Sequence, residues 1–236
     1  MMNRIIEQWN GAAAAYMEDQ EQSEFVEINK KLVAERFPDL SGRRVLDLGC
    51  GYGVYTDYFS SVGADATGCD GSAEMLRLAR EQYPHLRFDQ ADILQSLPYA
   101  DASFDMVFCN QVLMDVDPVA PLIREIARIL RPGGTFFMGI VHPAFFDCHW
   151  GKDERGFRYQ KISERYLSEY YIDNPFWGET RHYHRPISAY MNAAAEAGLF
   201  LVRMDEPVTY DGIRKSQEFP LFLFAQFEKP RFFSIS

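Results

Sequence analysis

Residues 1–41 carry the hydrophobic spacing of an amphipathic helix. Apolar side chains recur every three or four positions, as at Phe25, Ile28 and Leu32, which places them on one helical face. The pattern stops at Pro38, because proline cannot continue a helix. We therefore predict an N-terminal helical cap over residues 1–41.

Short apolar runs alternate with helical segments after this cap. Five runs are strand candidates, at residues 45–48, 64–69, 86–90, 104–110 and 135–141. Three segments between them have helical spacing, at residues 54–62, 72–83 and 118–130, and Asp117 is the expected N-cap of the third. The Arg-Pro-Gly-Gly sequence at residues 131–134 predicts a turn before the fifth strand. Strands that alternate with helices predict a parallel, doubly wound sheet.

The alternation resumes only near the end of the chain. Residues 186–197 form a further helical segment closed by Gly198, and the apolar runs at 199–204 and 221–227 suit two last strands. The pattern predicts one α/β domain with a seven-stranded, mostly parallel, Rossmann-like sheet. It also predicts an insertion over residues 143–185, after strand 5.

The insertion is rich in aromatic side chains. Residues 145–185 hold 11 of the 35 aromatic residues in 41 positions. Ligands of open α/β sheets bind outside the carboxyl ends of the strands, where this segment leaves the sheet. It is therefore either a lid over a ligand or a small satellite core of its own. As a lid, it offers a stacking wall for a planar acceptor from Tyr159, Tyr170, Tyr171, Phe176 and Trp177.

Composition and charge limit the partners of the chain. The 236 residues suit one domain with an added cap, and an apolar fraction of 47% excludes a disordered chain. The 24 basic and 34 acidic residues give a net charge of -10, which disfavours nucleic acid and membrane surfaces as partners. A small-molecule substrate is expected. The oligomeric state is left open, since Phe232 and Phe233 suit packing on the domain or against a second chain.

The cysteines and the start of the chain indicate the compartment. The four cysteines, at positions 50, 69, 109 and 148, form no C-x-x-C pair, which argues against a zinc site and a disulfide scaffold. We expect no metal. No apolar run approaches the roughly 20 residues of a transmembrane helix, and the first residues lack the apolar stretch of a secretory signal. A cytoplasmic location is expected.

A glycine-rich loop follows the first predicted strand. The sequence from Asp47 to Gly53 reads DLGCGYG, and glycine allows tight turns and close approach of a ligand to the backbone. A dinucleotide-binding loop would read G-x-G-x-x-G, but position 54 is Val54. The early carboxylate would repel a pyrophosphate and suits a ligand that carries positive charge.

Polar side chains end the next three predicted strands. Asp70 lies 23 residues after Asp47, at the usual place of an acceptor for ribose hydroxyls. Asp92 and Asn110 come at the ends of the third and fourth strands. Each side chain alone could cap a helix or satisfy a turn. Together with the glycine loop they indicate a ligand site at this sheet edge.

Five ordered motifs resemble those of class I S-adenosylmethionine-dependent methyltransferases. They are VLDLGCGYG (45–53), GCDGSAEML (68–76), ADI (91–93), FDMVFCNQVL (104–113) and RPGG (131–134). The likeness spans roughly residues 40–141, and its order and spacing make it specific. The end of the chain is similar to the small-molecule branch of the family.

The resemblance implies a role for each matching residue. The glycine loop would hold the methionine part of the cofactor, and Asp70 would hold the ribose hydroxyls. Met75 and Asp92 would contact the adenine, and the backbone carbonyl of Asn110 would receive the amino group. Trp9 is similar to N-terminal aromatics that close over the cofactor, or else packs within its helix. The expected cofactor-binding residues are Tyr16, Asp47, Gly49, Cys50, Gly51, Asp70, Gly71, Met75, Asp92, Ile93, Asn110, Gln111 and Val112.

Histidines are the candidate catalytic groups. Four of the five follow the predicted fifth strand, and His142, His182 and His184 are the candidates for a general base. Histidine titrates near neutral pH, which suits a base in an acceptor site. A hydrogen-bonded histidine that only shapes the pocket is the alternative at each position.

Three functions remain open at this point. The first is methyl transfer from S-adenosylmethionine to a small, apolar or aromatic acceptor at oxygen or nitrogen. The second is cofactor binding without turnover, as a regulatory protein. The third is a nicotinamide-dependent oxidoreductase, which Val54 and the early Asp47 disfavour. Methylation of nucleic-acid bases is disfavoured because Asn-Gln-Val-Leu stands at position 110, where base-amine methylases of the family carry Asn/Asp-Pro-Pro-aromatic.

Overall fold

The computed structural model describes residues 4–147, 149–152, 154–155, 158–208 and 219–231, without the side chains of residues 150 and 158–161. Cys148, Phe232 and Phe233 lie outside the described residues. The helices are α1 (Arg4–Gln22), α2 (Glu24–Arg36), α3 (Val54–Ser61), α4 (Ala73–Gln82), α5 (Val119–Ile129) and α6 (Ile187–Glu196), with a 3-10 helix at Leu113–Asp115. The strands are β1 (Arg44–Leu48), β2 (Asp65–Asp70), β3 (Arg87–Gln90), β4 (Phe104–Asn110), β5 (Leu130–Val141), β6 (His149–Lys152), β7 (Arg158–Ile162), β8 (Tyr170–Asn174), β9 (Thr180–His184), β10 (Phe200–Asp205) and β11 (Phe222–Glu228).

Seven strands form the central sheet in the order β10-β11-β5-β4-β1-β2-β3. The five strands from β3 to β5 are parallel, and β11 is antiparallel to both β5 and β10. The predicted Rossmann-like sheet is confirmed. The strand order reverses at β1, which has β2 on one side and β4 on the other, and ligands of such sheets bind at this switch point.

Apolar side chains cover both faces of the sheet. Along β4, Val107 and Cys109 pack into the core beneath α5 and α6, while Met106 and Phe108 pack on the opposite face with α2 and α3. This alternation follows from the two-residue period of a strand. Among the described helices, none combines the length and apolar character needed to cross a membrane.

Several predicted element bounds differ from the structure, most of them by one residue. β5 begins at Leu130, which pairs with Phe104 of β4, and not at residue 135. The predicted turn lies within this strand and also bonds to Lys229. There the Gly133 N–H donates to the carbonyl of Lys229, and the Lys229 N–H donates to the carbonyl of Gly134. In addition, residues 91–103 contain no helix between β3 and β4, so the strand-helix alternation is interrupted there.

The predicted N-cap of α5 is wrong by one residue. Pro118 occupies the N-cap position, after a cis peptide bond from Asp117. The Asp117 carboxylate instead accepts a hydrogen bond from Arg185 Nη2 at 2.8 Å. An ion pair with a residue 68 positions away has replaced the local cap.

The insertion after β5 contains two antiparallel hairpins. β6 pairs with β7, and β8 pairs with β9. β9 packs against α1 and against the 3-10 helix that follows β4. The insertion therefore meets the N-terminal cap directly above the carboxyl ends of the strands.

Candidate functional site

The loop after β1 bends through backbone conformations that favour glycine. Gly49 and Gly51 have φ angles of 74° and 53°, in the left-handed region that side chains disfavour. The N–H groups of Gly49 and Cys50 both donate to the carbonyl of Cys69, at 2.7 and 3.1 Å. A Cβ atom at Gly49 would lie 2.3 Å from Cγ2 of Val112. Only glycine fits here, and the loop presents bare backbone to the space above it.

Asp47 is a buried carboxylate at the base of this loop. Its side chain is 2% exposed and accepts a hydrogen bond from Thr56 Oγ1 at 2.6 Å. Burial raises the pKa of Asp47 to about 7, and the nearby charge of Asp70 adds to the rise. Among the described residues, no basic side chain forms an ion pair with Asp47. A buried acid in this state is suited to a cationic ligand.

Asp70 ends β2 and is fixed by two backbone groups. One carboxylate oxygen accepts from the Gly51 N–H at 2.9 Å, and the other accepts from the Ser72 N–H at 2.8 Å. Burial raises the pKa of Asp70, and these hydrogen bonds oppose the rise. Each carboxylate oxygen has a second lone pair, so Asp70 can still accept hydrogen bonds from a ligand.

Ser72 connects this site to the N-terminal cap. Its Oγ accepts from the Met75 N–H at 3.1 Å as the N-cap of α4. The same hydroxyl donates to Oδ1 of Asn10, on α1, at 2.8 Å. A side chain at Gly71 would collide with Ile6, also on α1, at 2.9 Å. The first helix therefore covers the glycine loop closely.

All thirteen residues predicted to bind the cofactor surround one cavity beneath α1. Asp92 is held by a hydrogen bond from the Leu94 N–H at 2.9 Å. Gln111 has a φ of 58°, and its Nε2 is buried without a hydrogen-bond partner among the described residues. The thirteen are Tyr16, Asp47, Gly49, Cys50, Gly51, Asp70, Gly71, Met75, Asp92, Ile93, Asn110, Gln111 and Val112.

A second, larger cavity of about 510 Å³ adjoins the first. Its wall is mainly apolar, with Phe25, Val26, Met114, Val141, Phe146, Phe176, Trp177, Leu221 and Phe222. Its charged lining residues are Asp19 and Glu24, and no lysine or arginine lines it in the described part of the chain. The two cavities share the residues Trp9, Tyr16, Gln20, Val26, Asn29 and Gln111. The larger cavity suits a small, neutral, mostly apolar molecule.

Aromatic rings from α1 and the insertion enclose the boundary between the cavities. The ring centroids of Trp9 and Tyr16 are 5.2 Å apart, and Trp177 lies 4.9 Å from Tyr16 and 6.1 Å from Trp9. Edge contacts of this kind stabilise aromatic clusters beyond the burial of their area. The insertion thus closes one side of the larger cavity, through Phe146, Phe176 and Trp177, which favours the lid interpretation over a satellite core.

The comparisons with known proteins place this site in a family. The family described as "Methyltransferase domain" matches residues 46–138. A solved S-adenosylmethionine-dependent methyltransferase from Mesorhizobium loti superimposes with a TM-score of 0.75 at 26% identity, over 85% of this chain and 97% of that one. Residues 46–138 therefore form a methyltransferase domain of the class I S-adenosylmethionine-dependent family.

Two curated relatives of this methyltransferase match over part of their length. The malonyl-[acyl-carrier protein] O-methyltransferase of Pectobacterium atrosepticum is 41% identical over 98 residues, which are 42% of this chain and 38% of that protein. The ubiquinone biosynthesis O-methyltransferase of Albidiferax ferrireducens is 32% identical over 108 residues, which are 44% and 43% of the two proteins. The chain therefore spans about two fifths of the length of these relatives.

His182 lies in the wall of the larger cavity and contacts Asp115, which lines the first. It is 5% exposed, lines the larger cavity, and forms a hydrogen bond through Nδ1 to Oδ1 of Asp115. The other oxygen of Asp115 accepts from Nε1 of Trp9 at 3.0 Å. Asp115 is 4% exposed and lines the first cavity. These contacts connect the insertion, the 3-10 helix and α1 through one carboxylate.

The other two candidate histidines are held within the fold. His142 accepts the Ala144 N–H at Nδ1, at 3.1 Å, and its Nε2 contacts Oε1 of Glu206 at 2.7 Å. Neither cavity at the site is lined by His142. This geometry gives no support to the prediction that His142 is a general base.

His184 has both ring nitrogens bound to backbone carbonyls. Nδ1 contacts the oxygen of Ser168 at 2.9 Å, and Nε2 contacts that of Pro143 at 3.0 Å. Its ring stacks on Tyr170 with centroids 4.5 Å apart. His184 therefore joins two parts of the insertion, and both of its ring nitrogens are engaged there.

The five aromatic side chains predicted to form a stacking wall do not all lie at the larger cavity. Phe176 and Trp177 line the larger cavity, whereas Tyr170 stacks on His184 and Tyr171 is 55% exposed beneath Arg181. The side chain of Tyr159 lies outside the described ones. Two of the five aromatics therefore face the space that an acceptor would occupy.

Asp115 is the site residue that the sequence analysis missed. It stands alone among apolar residues in Leu113-Met114-Asp115-Val116, where such a carboxylate suggests only a turn. An acidic residue in a buried segment five positions after Asn110 was the available signal, since buried carboxylates require partners. The contribution of α2 to the larger cavity, through Phe25 and Asn29, was also not predicted.

Proposed function

We propose that this protein transfers the methyl group of S-adenosylmethionine to an oxygen or nitrogen of a small, largely apolar acceptor. The observation that supports this most is the pair of adjoining cavities. One is lined by acidic side chains and bare glycine backbone, and the other has a mainly apolar wall. A cationic cofactor and a neutral acceptor would meet where they share Trp9, Tyr16 and Gln111.

The residues of the first cavity fit the cofactor. Asp47 is buried without a basic partner among the described residues, and the Nε2 of Gln111 lacks a hydrogen bond there. We assign Asp47 and the glycine loop to the amino acid part, Asp70 to the ribose, and Met75 and Asp92 to the adenine. When bound, S-adenosylmethionine supplies an electrophilic methyl group. The protein has to exclude water and hold the acceptor atom in line with that group.

The larger cavity determines which acceptors are favoured. Its described lining contains no lysine or arginine, so an anionic acceptor would be buried without a permanent countercharge, which is costly. The word O-methyltransferase in the names of both curated relatives favours oxygen over nitrogen. We therefore infer a neutral acceptor, with oxygen the favoured site of methylation.

The alternatives fit the structure less well. A nicotinamide cofactor would bring its pyrophosphate close to the two acids Asp47 and Asp70, and α3 begins at Val54, where the dinucleotide motif needs glycine. A binding protein without turnover has no use for a second cavity of about 510 Å³ beside the cofactor. The described cysteines, Cys50, Cys69 and Cys109, are free, which fits the cytoplasmic location that we infer.

Calorimetry and a transfer screen test the proposal. S-adenosylmethionine and its demethylated product, S-adenosylhomocysteine, are titrated into the protein. Radiolabelled cofactor is then incubated with a panel of small phenols, alcohols and amines. Saturable binding together with label on one acceptor class is expected. Absence of binding at millimolar ligand would refute the cofactor assignment, and binding with no transfer to any acceptor would favour a regulatory protein.

Asp70→Asn is expected to weaken binding of S-adenosylhomocysteine by more than tenfold. Asp70 accepts hydrogen bonds from Gly51 and Ser72 with both oxygens, and an amide has only one oxygen to offer. The matched control is Asp65→Asn, at the exposed opposite end of the same strand. Calorimetry should show unchanged affinity for that control. Equal affinity of the two variants would contradict the assignment of Asp70.

A further inference from the structure

We propose that Asp115 is a positioning residue that orients His182 as the general base for an acceptor hydroxyl. The inference rests on the proposed methyl transfer and specifies its substrate class. Its basis is the chain of contacts Trp9–Asp115–His182, which no step in cofactor binding requires.

The hydrogen-bonding capacity of each group determines where the protons lie. The indole Nε1–H of Trp9 can only donate, so the Asp115 oxygen that it meets is an acceptor. The second oxygen of Asp115 meets Nδ1 of His182. An ionised carboxylate accepts from Nδ1–H, which leaves the lone pair of the neutral imidazole on Nε2.

The position of that lone pair fits the reaction. His182 lines the larger cavity, and no hydrogen bond reaches its Nε2 from the described residues. Asp115 lines the cofactor cavity on the other side. Both side chains are at most 5% exposed, so water competes little for the nitrogen. A hydroxyl bound in the larger cavity can therefore reach a base that adjoins the cofactor.

The charged groups near His182 are mostly acidic. Asp115 contacts the ring directly, and Asp19 and Glu24 line the same cavity. A small cavity beside His182 is lined by Asp147, His184 and Arg185. The Arg185 guanidinium is directed to the carbonyl of Val116 and to Asp117. Asp115 is therefore the charged group that contacts the ring.

The step is balanced without a further reactant. The hydroxyl proton of the acceptor passes to Nε2 of His182 as its oxygen bonds to the methyl carbon. The carbon–sulfur bond breaks, and its electron pair stays on sulfur. His182 then releases the proton to solvent. A carboxylate acceptor would need no base, so a base held in this way points to an alcohol or phenol.

Nuclear magnetic resonance of histidine tests the positioning directly. The protein is labelled with ¹⁵N-histidine and saturated with S-adenosylhomocysteine. Long-range ¹H–¹⁵N spectra are then recorded between pH 6 and 9, and His182→Gln identifies the signal. We expect His182 to carry its proton on Nδ1 at the basic end. A proton on Nε2 there, or an imidazolium throughout, would overturn the proposal.

Substitution of Asp115 distinguishes positioning from mere packing. Asp115→Asn keeps an oxygen for Trp9 and turns an N–H₂ group toward Nδ1, so the His182 proton should move to Nε2. Asp147→Asn, which alters an acid on the other side of His182, should leave it on Nδ1. An unchanged tautomer in Asp115→Asn overturns the proposal. If the wild-type protein did not bind S-adenosylhomocysteine, the proposed function would be refuted instead.

Kinetics on the acceptor found by the radiolabel screen complete the test. His182→Gln and Asp115→Asn should each lower kcat at least a hundredfold, within the range for general base catalysis, with KM changed less than threefold. Both should also lose the rise of kcat with pH. Methylation of a carboxylate or amine, or wild-type kcat in His182→Gln, would overturn the assignment of a hydroxyl base.

Discussion

Asp47→Asn is expected to stabilise the ligand-free protein at pH 8 and to weaken its binding of the proposed cofactor. Burial raises the pKa of Asp47 from 3.8 to about 7, so the folded protein favours the protonated acid. Ionising the carboxylate above that pH therefore opposes folding. Asparagine resembles the protonated acid and can still accept the hydrogen bond from Thr56, so it removes this cost.

The expected gain in stability is largest above pH 7 and becomes smaller as the pH falls toward 4. A folded-state pKa raised above the unfolded value gives stability that is complete below about pH 4 and is lost as pH rises toward 7. A shift of about three units corresponds to about 4 kcal/mol above pH 7. Thermal melts at pH 8 should therefore place Tm of Asp47→Asn about 8–16 °C above the wild type. The difference should disappear near pH 4.

A second buried acid provides the control. Asp105 is 4% exposed, but it accepts from the Arg44 N–H at 2.7 Å and pairs with Arg131 at 2.5 Å. Asp105→Asn should lower Tm, because it weakens an ion pair whose charge is compensated. If Asp47→Asn also lowered Tm at pH 8, the view of Asp47 as an uncompensated acid would be incorrect.

The same carboxylate should make cofactor binding depend on pH. A cationic ligand binds the ionised form of Asp47 more strongly, so wild-type affinity should increase as pH rises through about 7. Calorimetry in buffers of different ionisation enthalpy should detect proton release on binding near pH 7. Asp47→Asn should bind more weakly at pH 8 and lose most of this pH dependence.

Gly49→Ala is expected to destabilise the fold by about 2–5 kcal/mol and to weaken S-adenosylhomocysteine binding more than tenfold. Its φ is 74°, and the new methyl group would lie 2.3 Å from Cγ2 of Val112. Since both residues line the cofactor cavity, the collision would displace a wall of that cavity. Denaturant unfolding and calorimetry measure the two effects.

Gly42→Ala is a matched control for this change. Gly42 has a φ of 70°, but a Cβ atom there meets nothing within 4 Å. The control should therefore cost only the backbone strain, about 1–2 kcal/mol, and leave binding intact. The double variant Gly49→Ala, Val112→Ala should recover part of the lost stability. Equal losses of stability in Gly42→Ala and Gly49→Ala would mean that the contact with Val112 does not contribute to the free energy of unfolding.

The parts of the fold that were predictable depend on local patterns. The alternation of apolar runs and helical spacing sufficed for β1 to β5, because buried strands and amphipathic helices differ in period. The start of β5 was not predictable, because residues 130–134 join the strand through contacts with Phe104 and Lys229, which are distant in the chain. The cap of α5 was missed for the same reason, since Arg185 binds the carboxylate of Asp117.

The residues of the candidate site were also only partly predictable from the sequence. Asp47, Asp70 and Asn110 end neighbouring strands, so their common location follows from parallel topology. The contact between Asp115 and His182 joins residues 67 positions apart, through the insertion and a 3-10 helix. No periodicity in the chain encodes it. For that reason three histidines looked alike in the sequence, and the structure separates them by their partners.

α1 covers the glycine loop and also contacts Asp115, through the hydrogen bond from Trp9. Because α1 covers the glycine loop through Asn10 and Ile6, it has to move aside when the nucleoside enters or leaves. On the proposed mechanism, that movement would withdraw Trp9 from the carboxylate, so the open protein would hold His182 less firmly than the closed one. Proton abstraction would then be confined to the interval in which both reactants are sealed from solvent.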